Sequence, residues 1–237
     1  MKTSNKILIL ITAVFVLSYF TNNLFMLYSV KAEITKPYVL SGNKIKFNKL
    51  IGESDCINLE GNLNVILKND TINKLEIEAD KNQVPLLEIS NWAKKCYIYT
   101  NNANYRNSKE NIINIILHLK RFDMICGADN VIFKTDSIIN SEDFDLVLSG
   151  NSKADIKLNT KTFSCNLVSN SSCKISGKAS DAHIYLMKNS LLSAKEFCIG
   201  DCNIYMMKNS IADLNVKGRI SQTISSNSKL NIIGGTK

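Results

Sequence analysis

The chain has 237 residues, 45% of them hydrophobic and punctuated by only two prolines and ten glycines, enough apolar material for one large domain or two small ones. Its 29 Lys and Arg against 21 Asp and Glu leave a net charge of +8, which raises the question of nucleic acid. The lysines are scattered through strands and turns, with no basic helix, no arginine cluster and few aromatics beside them, so the charge reads as a solvated basic surface and a nucleic-acid partner is excluded.

At the N-terminus Lys2 and Lys6 precede an apolar run at 7–20, then Thr21-Asn22-Asn23, a second apolar stretch at 24–30 and Val30-Lys31-Ala32. This is the layout of an export signal, residues 1–32, cleaved after Ala32 with small or branched residues where signal peptidase reads. The alternative is an uncleaved membrane anchor, since 7–30 is long enough to span a bilayer. Against it, Thr21-Asn22-Asn23 would lie deep in hydrocarbon, where each unpaired polar group is costly. On either reading the rest of the chain is exported, to the periplasm, the outer membrane, the cell surface or the medium, and meets a membrane only through this segment. No cysteine adjoins Ala32, so a lipid-modified N-terminal cysteine has no support.

Residues 33–120 read as a β-rich front part. A polar lead-in with Pro37 and Gly42 holds one weak strand, and the alternating segments 62–67 and 74–79 are strands separated by the turn Lys68-Asn69-Asp70-Thr71. The apolar segment 84–89 with Trp92 follows, then the strand Cys96-Tyr97-Ile98-Tyr99 and a polar loop at 101–111. The run 112–119 is read as strand because the β-branched Ile112, Ile113, Ile115 and Ile116 favour a pleated surface. This front part is expected to cap the element that follows, whose first strands would otherwise form an open edge.

Residues 121–235 repeat. The tripeptides Gly127-Ala128-Asp129, Gly150-Asn151-Ser152, Ser169-Asn170-Ser171, Lys188-Asn189-Ser190, Lys208-Asn209-Ser210 and Ser226-Asn227-Ser228 recur at intervals of 23, 19, 19, 20 and 18 residues. Counted from the third residue of each, the position two on reads Val131, Ala154, Cys173, Leu192, Ala212 and Leu230; four on, it reads Phe133, Ile156, Ile175, Ala194, Leu214 and Ile232. Four before it stand Ile125, Leu148, Leu167, Leu186, Met206 and Ile224; eight before, from the second repeat, Phe144, Phe163, Ala182, Cys202 and Ile220. The period within each unit is two, that of a strand. A unit of about 19–20 residues cannot bury its apolar side alone, whereas stacked copies close a continuous core. The expected fold is therefore all-β, a right-handed parallel β-helix, its hand following the crossover rule. Asn and Ser suit its corners because they bond local backbone and tolerate left-handed dihedrals.

Seven cysteines in an exported chain invite disulfides. In the expected register Cys165 stacks between Leu146 and Ile184, Cys173 between Ala154 and Leu192, and Cys202 between Ala182 and Ile220, so none faces another cysteine and all three read as small buried hydrophobes. A local bridge between Cys198 and Cys202 stays open. His118 and His183 have no ligand spacing to the cysteines, so neither a metal nor any other cofactor is expected.

The residues Leu63-Asn64-Val65-Ile66-Leu67, Leu75-Glu76-Ile77-Glu78-Ala79-Asp80-Lys81-Asn82 and Pro85-Leu86-Leu87-Glu88, followed by coils opening at Phe122-Asp123-Met124 and Phe144-Asp145-Leu146, resemble the "putative auto-transporter adhesin head (GIN) domain", a family of exported bacterial proteins of unknown function. The likeness runs over about 46–235. It implies a right-handed β-helix in the cell envelope and supplies no catalytic residues. The corners depart from the family's usual Ser-Gly-Ala-Ser-Asp type, with Ser-Asn-Ser or Lys-Asn-Ser in the later coils.

Two constellations stand out. Asp181 and Asp201 fall in one column, followed by Arg219; stacked at the ~4.8 Å strand spacing, the carboxylates approach the separation of a retaining glycosidase pair or could hold a cation. A turn aspartate in each coil, relieved by Arg219, is the reading we adopt, because no sugar-sized cleft is visible in the sequence. On the outward columns Tyr185, Met187, Tyr205 and Met207 form an exposed apolar patch on adjacent coils, the candidate binding site. The competing readings are aromatics that only support the sheet, or a face that the front part covers. The chain thus reads as a non-enzymatic exported binding or scaffold module, an adhesin by resemblance, with a polysaccharide-acting enzyme and a passive spacer as alternatives. Its expected partners are an envelope or host-surface molecule and, through the open edge of the last coil, a second copy of itself.

Overall fold

The computed structural model describes residues 39–101, 111–225 and 227–234. The export segment, most of the loop at 101–111 and Ser226 lie outside the described residues. Among the described residues no helix is long and apolar enough to cross a membrane.

The fold is a parallel β-solenoid, and its sixteen strands join into one sheet. The front part supplies β1 (Lys44–Leu50), β2 (Cys56–Glu60), β3 (Leu63–Asn69), β4 (Lys74–Asp80), β5 (Leu87–Trp92), β6 (Lys95–Thr100) and β7 (Ile113–Leu119), with a short 3-10 turn at Val84–Leu86. The repeats supply β8 (Met124–Ala128), β9 (Ile132–Thr135), β10 (Ile139–Leu148), β11 (Lys153–Val168), β12 (Ser172–Met187), β13 (Leu191–Met207), β14 (Ile211–Val216), β15 (Ile220–Ile224) and β16 (Lys229–Ile233). Alternation dictates which side each residue takes. In β11, Ala154, Ile156, Leu158, Phe163, Cys165 and Leu167 are buried while Lys153, Asp155 and Lys157 are exposed. Phe144, Phe163 and Phe197 continue one another inside the coils, with ring centroids 6.5 and 5.4 Å apart.

The columns read from sequence match the strand register from the second repeat onward: Ala154 pairs with Cys173, Leu167 with Leu186, and Ala182 with Cys202. The first repeat needs a correction. Gly127 pairs with Leu148 and Phe133 with Ala154, so the true counterpart of Gly150-Asn151 is Asp129-Asn130, two residues later than the tripeptide alignment placed it. A shift of two preserves the face of every side chain, which is why the core pattern survived the misalignment. Dihedrals decide the matter, since Asp129 and Asn130 have φ of 59° and 74°, and Gly150 and Asn151 of 60° and 65°. The first two residues of each later corner through Lys208-Asn209 are likewise left-handed, the region where Gly and Asn cost least. Asn170, Asn189 and Asn209 stack there as an amide ladder with bonds of 3.1 and 3.2 Å. The third residue turns inward, and Ser152, Ser171, Ser190 and Ser210 are buried. The longer interval between Lys188 and Lys208 is absorbed by a bulge, where Lys174 pairs with Ser193 but Ser176 with Glu196.

The front part contributes coils as well as a cap. β2 and β3 pair in parallel with β8 and β9, and β6 and β7 stack in parallel on β2 and β3. Sequence reading passed over β2, whose only inward side chains are Ile57 and Leu59, too few to show a period. Antiparallel strands then close this end: β4 on β7, β5 on β6 and β1 on β4. Of the two edge strands at this end, β1 and β5, the first carries Lys44 and Lys46, both paired to Glu78 at 3.5 and 3.0 Å, a charged edge that resists further pairing.

All seven cysteines are free thiols, Cys198 and Cys202 included. Cys126 of β8 meets Cys56 of the neighbouring β2, and burial with this contact pushes the Cys126 thiol up to about 12; Cys165 and Cys173 approach each other across the corner between β11 and β12. This contact, together with burial, pushes the Cys165 thiol well above its ordinary value. A comparison of columns confined to Cys165, Cys173 and Cys202 could reveal neither contact.

Candidate functional site

Each coil has a leading run after its corner and a trailing run before the next. The trailing runs of β8, β10, β11, β12, β13 and β15 lie side by side in register. From β8 through β13 every second residue there is inward and buried, so the intervening ones must face out. That parity brings Tyr185 against Tyr205 and Met187 against Met207. The two tyrosine rings stack with centroids 5.2 Å apart and planes within 3°, and the Tyr185 hydroxyl lies 3.6 Å from the Met187 sulfur. Tyr205 is 37% exposed and is not covered by the front part.

Around the rings the side chains are neutral and polar. A cleft of about 460 Å³ is lined by Ser164, Asn166, His183, Asn203, Ser221 and Thr223 together with both tyrosines. The Asn203 amide nitrogen lies 3.5 Å from His183 Nδ1. Asp145, on the same face, has its carboxyl pushed up by burial. In the three outward columns from Met124 to Ser225 there is no lysine or arginine.

The aspartate column borders this cleft. Asp181 and Asp201 are in register, and Arg219 grips Asp201 through Nε at 3.0 Å, a terminal nitrogen at 2.7 Å and its backbone N–H at 2.8 Å. Those bonds hold the Asp201 carboxyl below the usual aspartate range, the opposite of what a general acid needs. Among the described residues no three His, Cys, Asp or Glu are grouped so as to hold a metal ion. His118 sits in the front part, 2.7 Å from Asp70, as a brace between β7 and the turn before β4.

Sequence reasoning missed that the same face continues past β8. β2 and β6 extend it, and Tyr97 and Tyr99 point outward from β6, between the buried Cys96, Ile98 and Thr100. They line a second cleft of about 230 Å³ with Asn58, Glu60, Cys126 and Val147. Glu88 accepts from the Tyr99 hydroxyl and, at 2.7 Å, from Asn101. The alternation in Cys96-Tyr97-Ile98-Tyr99 signals two outward rings, but the pairing that places them on this face joins strands far apart in sequence.

The family model described as "Putative auto-transporter adhesin, head GIN domain" matches residues 54–236. The chain belongs to that family. No curated protein matches this GIN-domain chain. Among solved structures, a "putative adhesin" from Bacteroides fragilis NCTC 9343 superposes with a TM-score of 0.66 at 14% identity, over 82% of this chain and 96% of that one. A "putative adhesin" from Parabacteroides merdae ATCC 43184 gives 0.55 at 14% identity, over 81% and 97%. A "putative lipid binding protein" from Parabacteroides distasonis ATCC 8503 gives 0.56 at 16% identity, over 85% and 100%. At such identities the likeness shows the shared solenoid fold.

Proposed function

We propose that this GIN-domain protein is an exported, non-catalytic binding module of the cell envelope that holds its partner on the trailing face around Tyr185, Met187, Tyr205 and Met207. The observation that carries the reading is the stacked tyrosine pair, Tyr205 exposed and Tyr185 half-buried, on outward columns that from β8 to β15 hold no lysine or arginine in a protein of net charge +8. Amphipathic rings on a rigid platform are the usual anchors of recognition surfaces. The family's adhesin description and the basic, apolar N-terminal segment support export. Cosedimentation of the full chain with isolated bacterial envelopes tests the face: the Tyr185→Ser plus Tyr205→Ser variant should lose binding with its fold intact, and undiminished binding would refute the assignment. Mass determination of the mature N-terminus tests export, with cleavage after Ala32 expected.

A second reading concerns the last coil. Among the described residues no strand pairs with the outer edges of β15 and β16, and their Ile224, Ile232 and Ile233 are exposed. Unguarded edges of this kind favour pairing with another copy. Light scattering should then give a dimer that survives the tyrosine double variant and dissociates in Ile233→Lys; a protein monomeric at high concentration would rule this out.

A further inference from the structure

We infer that the trailing face is one elongated lane for a linear, uncharged, polyhydroxylated chain, a neutral glycan, with a tyrosine subsite near each end. The inference rests on the reading of this face as the binding surface and adds the ligand class. Strand register supplies the lane. Tyr97 pairs with Asn58, Asn58 with Cys126, Cys126 with Val147, Val147 with Asn166, Asn166 with Tyr185, Tyr185 with Tyr205 and Tyr205 with Thr223, a single unbroken column. At ~4.8 Å per strand, the five steps from Tyr97 to Tyr185 span about 24 Å. The two clefts lie at the two ends of this column. The strand spacing is also close to the advance of one pyranose unit along an extended chain, so successive sugars would meet successive strands.

The side chains select the chemistry. Stacking closes the facing sides of Tyr185 and Tyr205 but leaves their outer sides toward Asn166 and Thr223, apolar planes of the kind on which the C–H face of a sugar ring rests. Among the described residues Asn166, Ser221 and Thr223 make no side-chain hydrogen bond within the chain, which leaves neutral donors and acceptors for hydroxyl groups. An anionic polymer would find no lysine or arginine on these columns from β8 to β15 and only Lys95 beyond them, on β6, while a cationic one would find only Asp145 and, on β2, Glu60, isolated charges of opposite sign rather than a charged track. An extended peptide would need an open strand edge, whereas the backbone here is already paired on both sides from β2 through β13. A membrane surface would meet Lys188 and Lys208 beside Met187 and Met207, but the cleft around the tyrosines is lined largely by Ser, Asn, His and Thr rather than by a broad apolar patch.

The test is binding of the full chain to an array of neutral glucans and mannans of several linkages, with polygalacturonate, an extended polyglutamine peptide and phosphatidylcholine vesicles alongside, followed by calorimetry with three- and six-unit oligosaccharides of the best binder. A neutral glycan should bind, the six-unit chain about tenfold tighter than the three-unit one. Tyr97→Ser should abolish that length dependence with little change for the short ligand, while Tyr185→Ser plus Tyr205→Ser weakens both, each variant melting like wild type. Binding to no neutral glycan, binding only to the anionic polymer, the peptide or the vesicles, or equal affinity for the two lengths would overturn the inference. If the tyrosine double variant loses envelope binding while every neutral glycan fails, the ligand class is wrong and the face stands. If the double variant keeps envelope binding, the face itself is wrong.

Discussion

The two long faces of this solenoid are built by the same alternation on the same coils, yet they differ in charge. The leading runs turn Lys153, Asp155 and Lys157 of β11, Lys174 of β12, Lys195 of β13 and Lys229 of β16 outward, with Lys195 paired to Asp213 at 3.3 Å. That surface is charged and solvated, although Leu191 and Ile211 are exposed on it side by side. The trailing runs present Tyr, Met, Asn, Ser and His, with Asp145 the one acidic side chain in their three outward columns from β8 to β15. Nothing in the inward packing requires this difference, because both runs bury equivalent aliphatic ladders. A face that departs from the solvated pattern for a reason other than folding is where recognition is to be sought.

The largest expected effect separates inside from outside. Leu186, fully buried between the outward Tyr185 and Met187, loses about 1.5–3 kcal/mol of apolar burial on replacement by Asp and adds the desolvation of a carboxylate. Leu186→Asp should therefore unfold the protein or lower its melting temperature by many degrees, while Tyr205→Ser, one residue before Met206 in the same column of coils, should shift it only slightly. Similar melting of the two variants would break the inward–outward assignment on which the face depends.

A smaller effect is expected at the corner that divides the faces. Asn189 has φ of 60° and links the amides of Asn170 and Asn209. Asn189→Val places a β-branched residue in the left-handed region and cuts the ladder, at a cost of about 1–3 kcal/mol; Asn189→Gly, which keeps the dihedral, should recover part of that in urea unfolding. Equal losses would mean that the amide ladder, not the backbone, dominates.

The smallest effect is chemical rather than energetic. With the folded protein under non-reducing conditions, alkylation should modify the exposed Cys198 and spare the buried Cys165 and Cys173, whose release on denaturation mass spectrometry would record. A Cys165–Cys173 disulfide in the exported protein would show that their approach inside the coil has been oxidised, and would overturn the free-thiol interior.

Much of this was legible because a solenoid writes its register into the chain. The columns through Leu167, Leu186 and Met206, and the pairing of Tyr185 with Tyr205, follow from local period and repeat length alone. What stayed hidden was non-local or dihedral. β2 and β6 join the face by pairing with strands distant in sequence, so Tyr97 and Tyr99 could not be placed on it. The first corner was set two residues early because Gly127 looks like the corner glycine Gly150, although Gly127 lies within β8 against Phe133, where an added Cβ would come within 2.4 Å of the ring. Its glycine serves packing, and Asp129-Asn130 makes the turn. Arg219 on Asp201, by contrast, was readable from the column, since an arginine one coil beyond an aspartate can reach back to it.

The central claim is that the trailing face, not the charged one, is the binding surface, and a paired comparison tests it most directly. Binding to bacterial envelopes is measured for wild type, for Tyr185→Ser plus Tyr205→Ser, and for Lys153→Ser plus Lys174→Ser, with melting curves to verify that all three are folded. The account predicts that the tyrosine variant loses binding by about tenfold or more, whereas the lysine variant stays close to wild type apart from a weaker salt dependence. Loss of binding in the lysine variant with retention in the tyrosine variant would contradict it.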